Sequence, residues 1–202
     1  DITVFSFHPV KIITSAEGGM ATTNDEALAT RLRELRTHGI TNDVTRFVHK
    51  PKEEIWNYQQ KRLGFNYRMT DIHAALGLSQ LSRLDEFVEK RRSIADRYDS
   101  ELNQLPLTLP WQHPDNYSAF HLYPVCLNPS KTNIKQQSVF QILHQREIFA
   151  NLHYIPVYRH PYFAEMGFQK NYCPNAEAYF RSAISIPMFA SLTEDQQGVV
   201  IQ

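Results

Sequence analysis

Apolar positions form a short continuous run near the start of the chain and a helical rhythm further on. Residues 2–7 are apolar at nearly every position, which is typical of a strand covered on both faces by helices. Pro9 cannot continue a hydrogen-bonded ladder, so we expect the strand to end before it. After a pair of glycines, residues 20–23 predict a second short strand.

Two helices are indicated by the spacing of apolar residues. Asn24 and Asp25 are suitable caps for a helix that runs to about residue 37. Between residues 70 and 105, apolar side chains recur at steps of three and four. The pattern predicts one long helix over 71–105, about 50 Å at the usual rise per residue. We interpret its charged run, residues 89–92, as the solvated face.

The segment between these helices, residues 38–65, is polar and aromatic and has neither a helical nor a strand period. It carries basic side chains at Arg46, His49, Lys50 and Lys52. A loop of this length inside a compact domain is usually functional or mobile. Its composition alone favours an exposed linker.

Beyond Pro106, strands and helices alternate, which is typical of a small α+β domain. The pattern predicts strands at 120–127, 151–155 and 183–186, and helices at 134–145, at 176–182 and after Leu192, where Thr193 is the expected cap. The predicted class is α/β, with the chain divided into residues 1–70, a linking helix at 71–105, and residues 106–202.

Composition and charge exclude several classes of function. The 202 residues include 21 Lys and Arg and 21 Asp and Glu, so no electrostatic argument favours nucleic acid or an anionic membrane as partner. No apolar stretch is long enough to cross a bilayer, and we expect no signal peptide on the chain as given. Cys126 and Cys173 lie far apart, and the histidines form no HxxxH or HxH pair. We expect a cytoplasmic protein without a metal site.

Lys11 is a candidate nucleophile. A lysine just past a strand is ordinarily a surface residue. Once deprotonated, however, a lysine amine can attack a carbonyl, and lysine forms Schiff bases with carbonyl substrates and with pyridoxal phosphate (PLP). The neighbours suit that role, because Ser6 offers a hydroxyl and Gly18 and Gly19 would let the backbone pass close to a ligand.

Three motifs, in order, carry a family resemblance: FSFHPVKIITSAEGGM at 5–20, LRTHGI at 35–40 and LGFNYRMTDIHAALGLSQL at 63–81. Together they resemble the DegT/DnrJ/EryC1/StrS aminotransferases, which are fold-type I PLP enzymes acting on nucleotide sugars. The form Ser-Phe-His-Pro-Val-Lys is most similar to the branch that aminates UDP-4-keto-6-deoxy sugars for pseudaminic acid. The likeness continues through NLHYIPVYRHPYF at 151–163 to the end of the chain.

The resemblance implies a role for individual residues. Lys11 matches the lysine that joins PLP and later moves the proton between substrate and cofactor, and Ser6 matches a serine on the cofactor phosphate. Asn66 matches an asparagine that reaches the cofactor phosphate of the neighbouring subunit, which implies a homodimer with sites at its interface. His153 and Tyr154 match a region that faces the sugar nucleotide.

Simpler readings stay open for these residues. Ser6 and Asn66 by themselves fit ordinary turn residues. Arg68 fits a substrate site and also an ion pair with the helix that follows it. His153 fits a hydrogen-bonded histidine within a strand.

The resemblance further implies transfer of an amino group from an amino acid, by family habit L-glutamate, to C4 of a UDP-linked keto-sugar for surface glycans. The family places three other cofactor contacts before the lysine: an aspartate on the pyridine nitrogen, an aromatic residue on the ring, and a helix N-terminus on the phosphate. Only ten residues precede Lys11. We therefore expect the chain to be the C-terminal half of such an enzyme, with residues 1–70 from the large PLP-binding domain.

Two alternatives remain. A lysine Schiff-base aldolase or decarboxylase would need Lys11 but neither a cofactor phosphate site nor Asn66. A catalytically inactive remnant of the family, acting as a binding or dimerisation half, would need neither.

Overall fold

The computed structural model describes residues 1–49 and 54–202, and its contacts divide it into two compact units, residues 1–84 and 85–202. The basic residues Lys50 and Lys52 lie outside the described residues. The boundary between the units falls inside the predicted linking segment. The domain limits at 70 and 105 stay predictions.

The first unit combines two short antiparallel ribbons with helices. In chain order its elements are β1 (Thr3–Ser6), β2 (Gly19–Thr22), α1 (Glu26–Leu35), β3 (Ile40–Thr41), a 3-10 turn (Val44–Arg46), β4 (Gln59–Gln60) and α2 (Asp71–Leu81). Strand β1 pairs with β2, and β3 pairs with β4. The start of α1 is as predicted, because the Asp25 carboxylate accepts hydrogen bonds from the amides of Ala27 and Leu28 at 2.8 and 3.0 Å.

The prediction that β1 is buried on both faces is wrong for this chain. Every residue of β1 and β2 is exposed, and Val4 is 77% exposed. The two strands form a ribbon of their own, with no third strand beside them in the described residues. Phe5, Met20 and Leu78 help to line an apolar cavity of about 450 Å³ in this unit. The described part of the unit therefore leaves the apolar side chains of β1 largely exposed.

A buried glutamate of α1 anchors the segment predicted as an exposed linker. Glu34 is 3% exposed; one carboxylate oxygen is bonded to Arg46 and the other to Arg62 Nε at 3.0 Å. A buried carboxylate is costly unless it is paired, so the two arginines hold both arms of the segment against α1. Its described parts are fixed structure rather than linker.

The single helix predicted over 71–105 is two helices. Helix α2 ends at Leu81 and α3 spans Leu84–Leu102. At the break, Ser82 Oγ donates to the Ser79 carbonyl at 2.9 Å. A serine hydroxyl bonded to the preceding turn competes with regular helical hydrogen bonding. The apolar spacing continues across the break and so does not reveal it.

The second unit packs helices on a three-stranded antiparallel sheet with strand order β5-β6-β7. After α3 its elements are β5 (Leu107–Thr108), β6 (Tyr123–Leu127), α4 (Gln136–Gln145), a 3-10 turn (Val157–Arg159), α5 (Pro161–Glu165), α6 (Pro174–Ser182), β7 (Ala183–Ile186) and α7 (Glu194–Ile201). The core consists of buried residues from α3, from the sheet and from the chain just after β7: Ile94, Ala95, Tyr98, Leu102, Tyr123, Val125, Ile184, Ile186 and Met188.

Two tyrosines in this core keep their polar ends bonded. Tyr98 Oη donates to the Pro187 carbonyl at 2.9 Å, and Tyr123 Oη donates to Asp99. Burial raises the pKa of both phenols above the ordinary value. Both therefore remain neutral donors at physiological pH.

Most predicted elements of this unit are confirmed. The helices at α4 and α6, the strand at 183–186 and the Thr193 cap all lie where the pattern indicates. The predicted strand at 151–155 is wrong, because only Asn151 pairs, with Ser185. The strand predicted from 120 begins at 123. Helix α5 was not predicted.

The interpretation of residues 89–92 as a solvated face is wrong for Arg91. This residue is 6% exposed, and its Nη1 lies 3.1, 3.2 and 2.9 Å from the carbonyl oxygens of Phe120, His121 and Met188. Burial lowers the pKa of the guanidinium. Arg91 thus donates to carbonyls just before β6 and just after β7.

Replacing Arg91 by Ala is expected to destabilise the protein by about 2–4 kcal/mol, because the three carbonyls lose a charged donor inside the unit. Arg92 is the matched control, since its guanidinium donates to one carbonyl, that of Ser118 at 3.1 Å, and lies 4.1 Å from the ring centre of the exposed Tyr117. Arg92→Ala is expected to cost about 1 kcal/mol or less. Urea denaturation measures both, and equal losses would contradict the assignment.

Candidate active site

Lys11 lies at the end of a tight turn. The Lys11 amide donates to the His8 carbonyl at 2.9 Å, which closes a four-residue turn with Pro9 in its second position. Proline presets the backbone angle that this position requires. Lys11 is half-buried, so the turn places the lysine at the edge of the unit rather than fully in solvent.

Backbone hydrogen bonds close the loop that carries this turn. The Phe7 carbonyl accepts from the Ser15 amide at 3.0 Å and from Thr14 Oγ1 at 2.9 Å. The Phe7 amide donates to the Gly18 carbonyl at 2.9 Å. Both ends of the loop are thereby fixed to the ribbon, and Lys11 sits on a defined backbone. The sequence shows this only as a strand that ends before a proline.

Ser6 is the last residue of β1 and pairs with Gly19. It is exposed. Ser6 therefore directly precedes the loop that Phe7 closes, and Lys11 lies within that loop. Their roles as cofactor residues stay predictions.

Gly18 and Gly19 both lie where the chain packs closely against itself. A Cβ on Gly19 would lie 2.7 Å from the Phe5 carbonyl oxygen. Gly18 has φ of +148°, and a Cβ there would lie 2.6 Å from Met69 Cε and 2.7 Å from Ser15 Oγ. Real Cβ atoms are not found at such distances. The glycines allow the chain to approach itself, and the prediction that they clear space for a ligand is not needed to explain them.

Asn66 is held by a backbone contact between two of the motifs. Thr37 and Asn66 form an antiparallel bridge. On either side of it, the His38 amide donates to the Phe65 carbonyl at 2.8 Å and the Tyr67 amide donates to the Arg36 carbonyl at 2.9 Å. Asn66 is exposed. Its side chain is thus presented from a backbone fixed to the end of α1.

Glycines make that contact possible. Gly39 has φ of +72°, and a Cβ there would lie 1.9 Å from the Arg62 carbonyl oxygen; a Cβ on Gly64 would lie 2.2 Å from the Gly39 nitrogen. Only glycine fits at both positions. The glycines of LRTHGI and LGFNYR therefore pack on each other, which the sequence signals only as two isolated glycines.

Arg68 is exposed. Within residues 1–49 and 54–202, the structure shows no ion pair of Arg68. The alternative that Arg68 pairs with the following helix is therefore not supported. A site role for Arg68 stays a prediction.

His153 and Tyr154 lie in the second unit beside β7. His153 is half-buried, and its Nδ1 lies 3.0 Å from Ser185 Oγ. Tyr154 is 58% exposed, and its ring packs on His160 with the ring centres 5.8 Å apart. His153 follows a single bridge residue rather than lying in a strand. The Nδ1 atom of His153 is thus hydrogen-bonded, while the Tyr154 ring is largely exposed to solvent.

Sequence reasoning missed Glu177, which lies on α6 and is 1% exposed. Its carboxylate accepts hydrogen bonds from Arg159 Nε at 2.8 Å, from Arg159 Nη2 and from Tyr158 Oη at 3.0 Å. The bonds from Arg159 hold the pKa of Glu177 below its ordinary value. Burial and the Glu177 carboxylate raise the pKa of Tyr158. A lone glutamate in a helical pattern gives no signal of such a network.

Two absences hold for the described part of the chain. No group of three or more His, Cys, Asp or Glu side chains there could hold a metal ion. No helix among those residues is long and apolar enough to span a membrane. Cys126 and Cys173 are both free thiols.

A model of the DegT/DnrJ/EryC1/StrS aminotransferase family matches residues 1–202. The chain belongs to this family. The predicted resemblance is thereby confirmed, and the α/β class with it, since solved sugar aminotransferase structures superpose on the whole chain.

Individual relatives add detail. The chain is 34% identical over 188 residues to the UDP-4-amino-4,6-dideoxy-N-acetyl-β-L-altrosamine transaminase of Campylobacter jejuni, covering 93% of this chain and 47% of that protein. Helicobacter pylori PseC, an aminotransferase involved in the biosynthesis of pseudoaminic acid, superposes with a TM-score of 0.85 and 31% identity, over 99% of this chain and 51% of that one. The Streptococcus pneumoniae protein Spr1654, solved in a PLP form, superposes with a TM-score of 0.86 and 29% identity, over 100% of this chain and 50% of that one.

The chain thus spans about half the length of the relatives it matches, with 47–51% of their residues covered. This agrees with the predicted correspondence to one half of such an enzyme.

Replacing Gly39 by Ala is expected to destabilise the first unit and to displace Asn66, because the new Cβ meets the Arg62 carbonyl. Gly167 is the matched control: its φ is also positive, +95°, but nothing lies within 4 Å of a Cβ there. Both alanines incur about 1 kcal/mol of backbone strain, and Gly39→Ala should cost about 1–3 kcal/mol more. Urea denaturation measures the difference, and equal costs would contradict the packing argument.

Proposed function

We propose that the protein containing this chain is a PLP-dependent aminotransferase that moves an amino group from an amino acid, L-glutamate, to C4 of a UDP-linked 4-keto-6-deoxy sugar for surface glycans. The observation that carries the proposal is Lys11, half-buried on a loop closed by the Phe7 hydrogen bonds, in a chain matched by the family over its whole length. The Campylobacter jejuni relative supports the sugar class by its name.

The residues present fit part of a PLP site. An aldehyde cofactor needs an amine to hold it and hydroxyl donors for its phosphate. Lys11 lies in the loop that Phe7 closes, and Ser6 directly precedes that loop. When bound, PLP supplies an electron sink that makes a carbon next to the reacting nitrogen acidic. Lys11 would hold the cofactor through Nζ, and the free Lys11 amine would hold at Nζ the proton that passes to or from the substrate.

Asn66 completes the phosphate site of a second subunit in this proposal, which makes the protein a homodimer. Its support is local: Asn66 is exposed on a fixed backbone, and the flanking Phe65 and Tyr67 rings stack 4.8 Å apart while remaining 56% and 72% exposed. Exposed, preordered aromatic rings are typical of interfaces. These features support a site shared between subunits as part of the proposal.

The sugar nucleotide contacts His153, Tyr154 and Arg68. The bond to Ser185 occupies His153 Nδ1 and leaves Nε2 for the substrate, while the exposed Tyr154 ring suits the apolar face of a sugar. The Arg68 guanidinium suits a diphosphate. We place the protein in the cytoplasm, where the free thiols of Cys126 and Cys173 would persist.

Two experiments separate this proposal from its alternatives. Borohydride reduction of the full-length protein with PLP is expected to attach a single pyridoxyl group per chain, at Lys11. Lys11→Arg should lose the label, while the exposed Lys170→Arg keeps it; peptide mass spectrometry locates it. Labels scattered over several lysines, or none, would contradict a PLP enzyme, and the inactive-remnant reading would then stand.

Mixed dimers test the shared site. Lys11→Ala and Asn66→Ala subunits are each expected to be inactive alone, yet together to regain about a quarter of wild-type transamination, because about half of the dimers are mixed and each has one intact site. Co-purification of Lys11→Ala and Asn66→Ala subunits that carry different affinity tags provides the reference for subunit exchange. No recovery, despite exchange shown by that reference, would place Asn66 outside the partner's site.

A further inference from the structure

Residues 151–160, here called the substrate segment, carry both His153 and Tyr154. Apart from its single bridge at Asn151 and the 3-10 turn at Val157–Arg159, the segment has no regular structure. Irregular backbone is free to move unless other residues fix it. Two buried polar residues of the second unit do so, one near each end.

Ser185 of β7 holds the beginning of the segment. It is 5% exposed. The Asn151 amide donates to the Ser185 carbonyl at 2.9 Å, and the Ser185 amide donates to the Asn151 carbonyl at 2.7 Å. Its hydroxyl is also 3.0 Å from His153 Nδ1. The backbone pair sets where the segment leaves the sheet, and the hydroxyl sets the rotation of the imidazole and which nitrogen is free.

Glu177 of α6 holds the end of the segment. Both carboxylate oxygens accept hydrogen bonds. Oε1 accepts from Tyr158 Oη and Arg159 Nε, and Oε2 accepts from Arg159 Nη2. The Arg159 guanidinium also lies 4.7 Å from the ring centre of Phe180, another α6 residue. A two-point bond between planar groups fixes orientation as well as distance. The 3-10 turn is therefore locked onto α6.

Tyr154 takes its position from that turn. His160 directly follows Arg159. Its carbonyl accepts hydrogen bonds from the amides of Phe163 and Ala164, both at 3.0 Å, in the first turn of α5. The His160 ring in turn packs on the Tyr154 ring. Movement of the turn would move His160, and the Tyr154 ring would follow.

We propose that Glu177 and Ser185 are positioning residues for the sugar substrate, which set Tyr154 and His153 respectively without contacting the reacting atoms. The inference rests on the proposed function. It makes a selective claim, because an aminotransferase works in two half-reactions and only the second involves the sugar. Loss of either residue should impair the sugar half-reaction and spare the amino-donor half-reaction.

The test uses the full-length protein with PLP and measures the half-reactions separately. The donor half is followed by the cofactor absorbance change with L-glutamate alone, and the sugar half by product formation from a UDP-4-keto-6-deoxy sugar. Glu177→Gln and Ser185→Ala are each expected to raise KM for the keto-sugar about 10-fold or more, as misplacement of a substrate contact does. The donor rate constant should stay within about twofold of wild type.

Two controls make the result specific. Glu165→Gln removes an exposed carboxylate that lies on α5 close to the same segment, and it should leave both half-reactions unchanged. In a Tyr154→Ala background, Glu177→Gln should add little further to KM, since the residue through which it acts is gone. If Glu177→Gln does not fold, Ser185→Ala carries the test by itself.

The outcomes are distinguishable. A wild-type protein that performs neither half-reaction would overturn the proposed function. An active wild type in which both substitutions leave the keto-sugar KM unchanged would overturn only the positioning roles. A parallel loss of both half-reactions with lowered thermal stability would show that Glu177 and Ser185 serve folding alone, and would overturn the inference as well.

Discussion

A charge taken out of water must be met by partners, and this constraint organises both units. In the first, Glu34 is buried on α1 and is met by two arginines from a segment without helical or strand period. In the second, Glu177 is buried on α6 and is met by Arg159 and Tyr158. Arg91 is the opposite case, a buried cation that donates hydrogen bonds to backbone carbonyls. Each case fixes irregular chain to a helix, where a hydrophobic contact would allow sliding.

Such anchors matter because the candidate site residues lie on irregular chain. Lys11 is on a loop, Asn66 on an isolated bridge, and His153 and Tyr154 on a segment with little regular structure. Catalysis needs groups held within a fraction of an ångström. Regular helices and strands give the framework, while buried polar contacts transmit its rigidity to the loops that carry chemistry.

Periodicity predicted the elements whose apolar face alone defines them, such as α4, β7 and the capped start of α7. It failed where a local polar bond overrides the pattern, as at Ser82, whose hydroxyl accompanies the break between α2 and α3. It also failed for β1, whose apolar residues are not covered within the described chain. Lys11 was found through family motifs, whereas Glu177 was not found at all, because a buried glutamate and a solvated one look alike in a sequence.

The glycine contacts have a consequence for how this family is recognised. Gly19, Gly39 and Gly64 are required by the chain's own backbone, at distances where any side chain would collide. Their persistence in a diverged sequence would report a preserved fold, whether or not the lysine beside them still works. A descendant that exchanged Lys11 for an inert residue would keep the same signature. Family membership and activity are therefore separate properties, because steric fit within the fold requires the glycines but places no such requirement on Lys11.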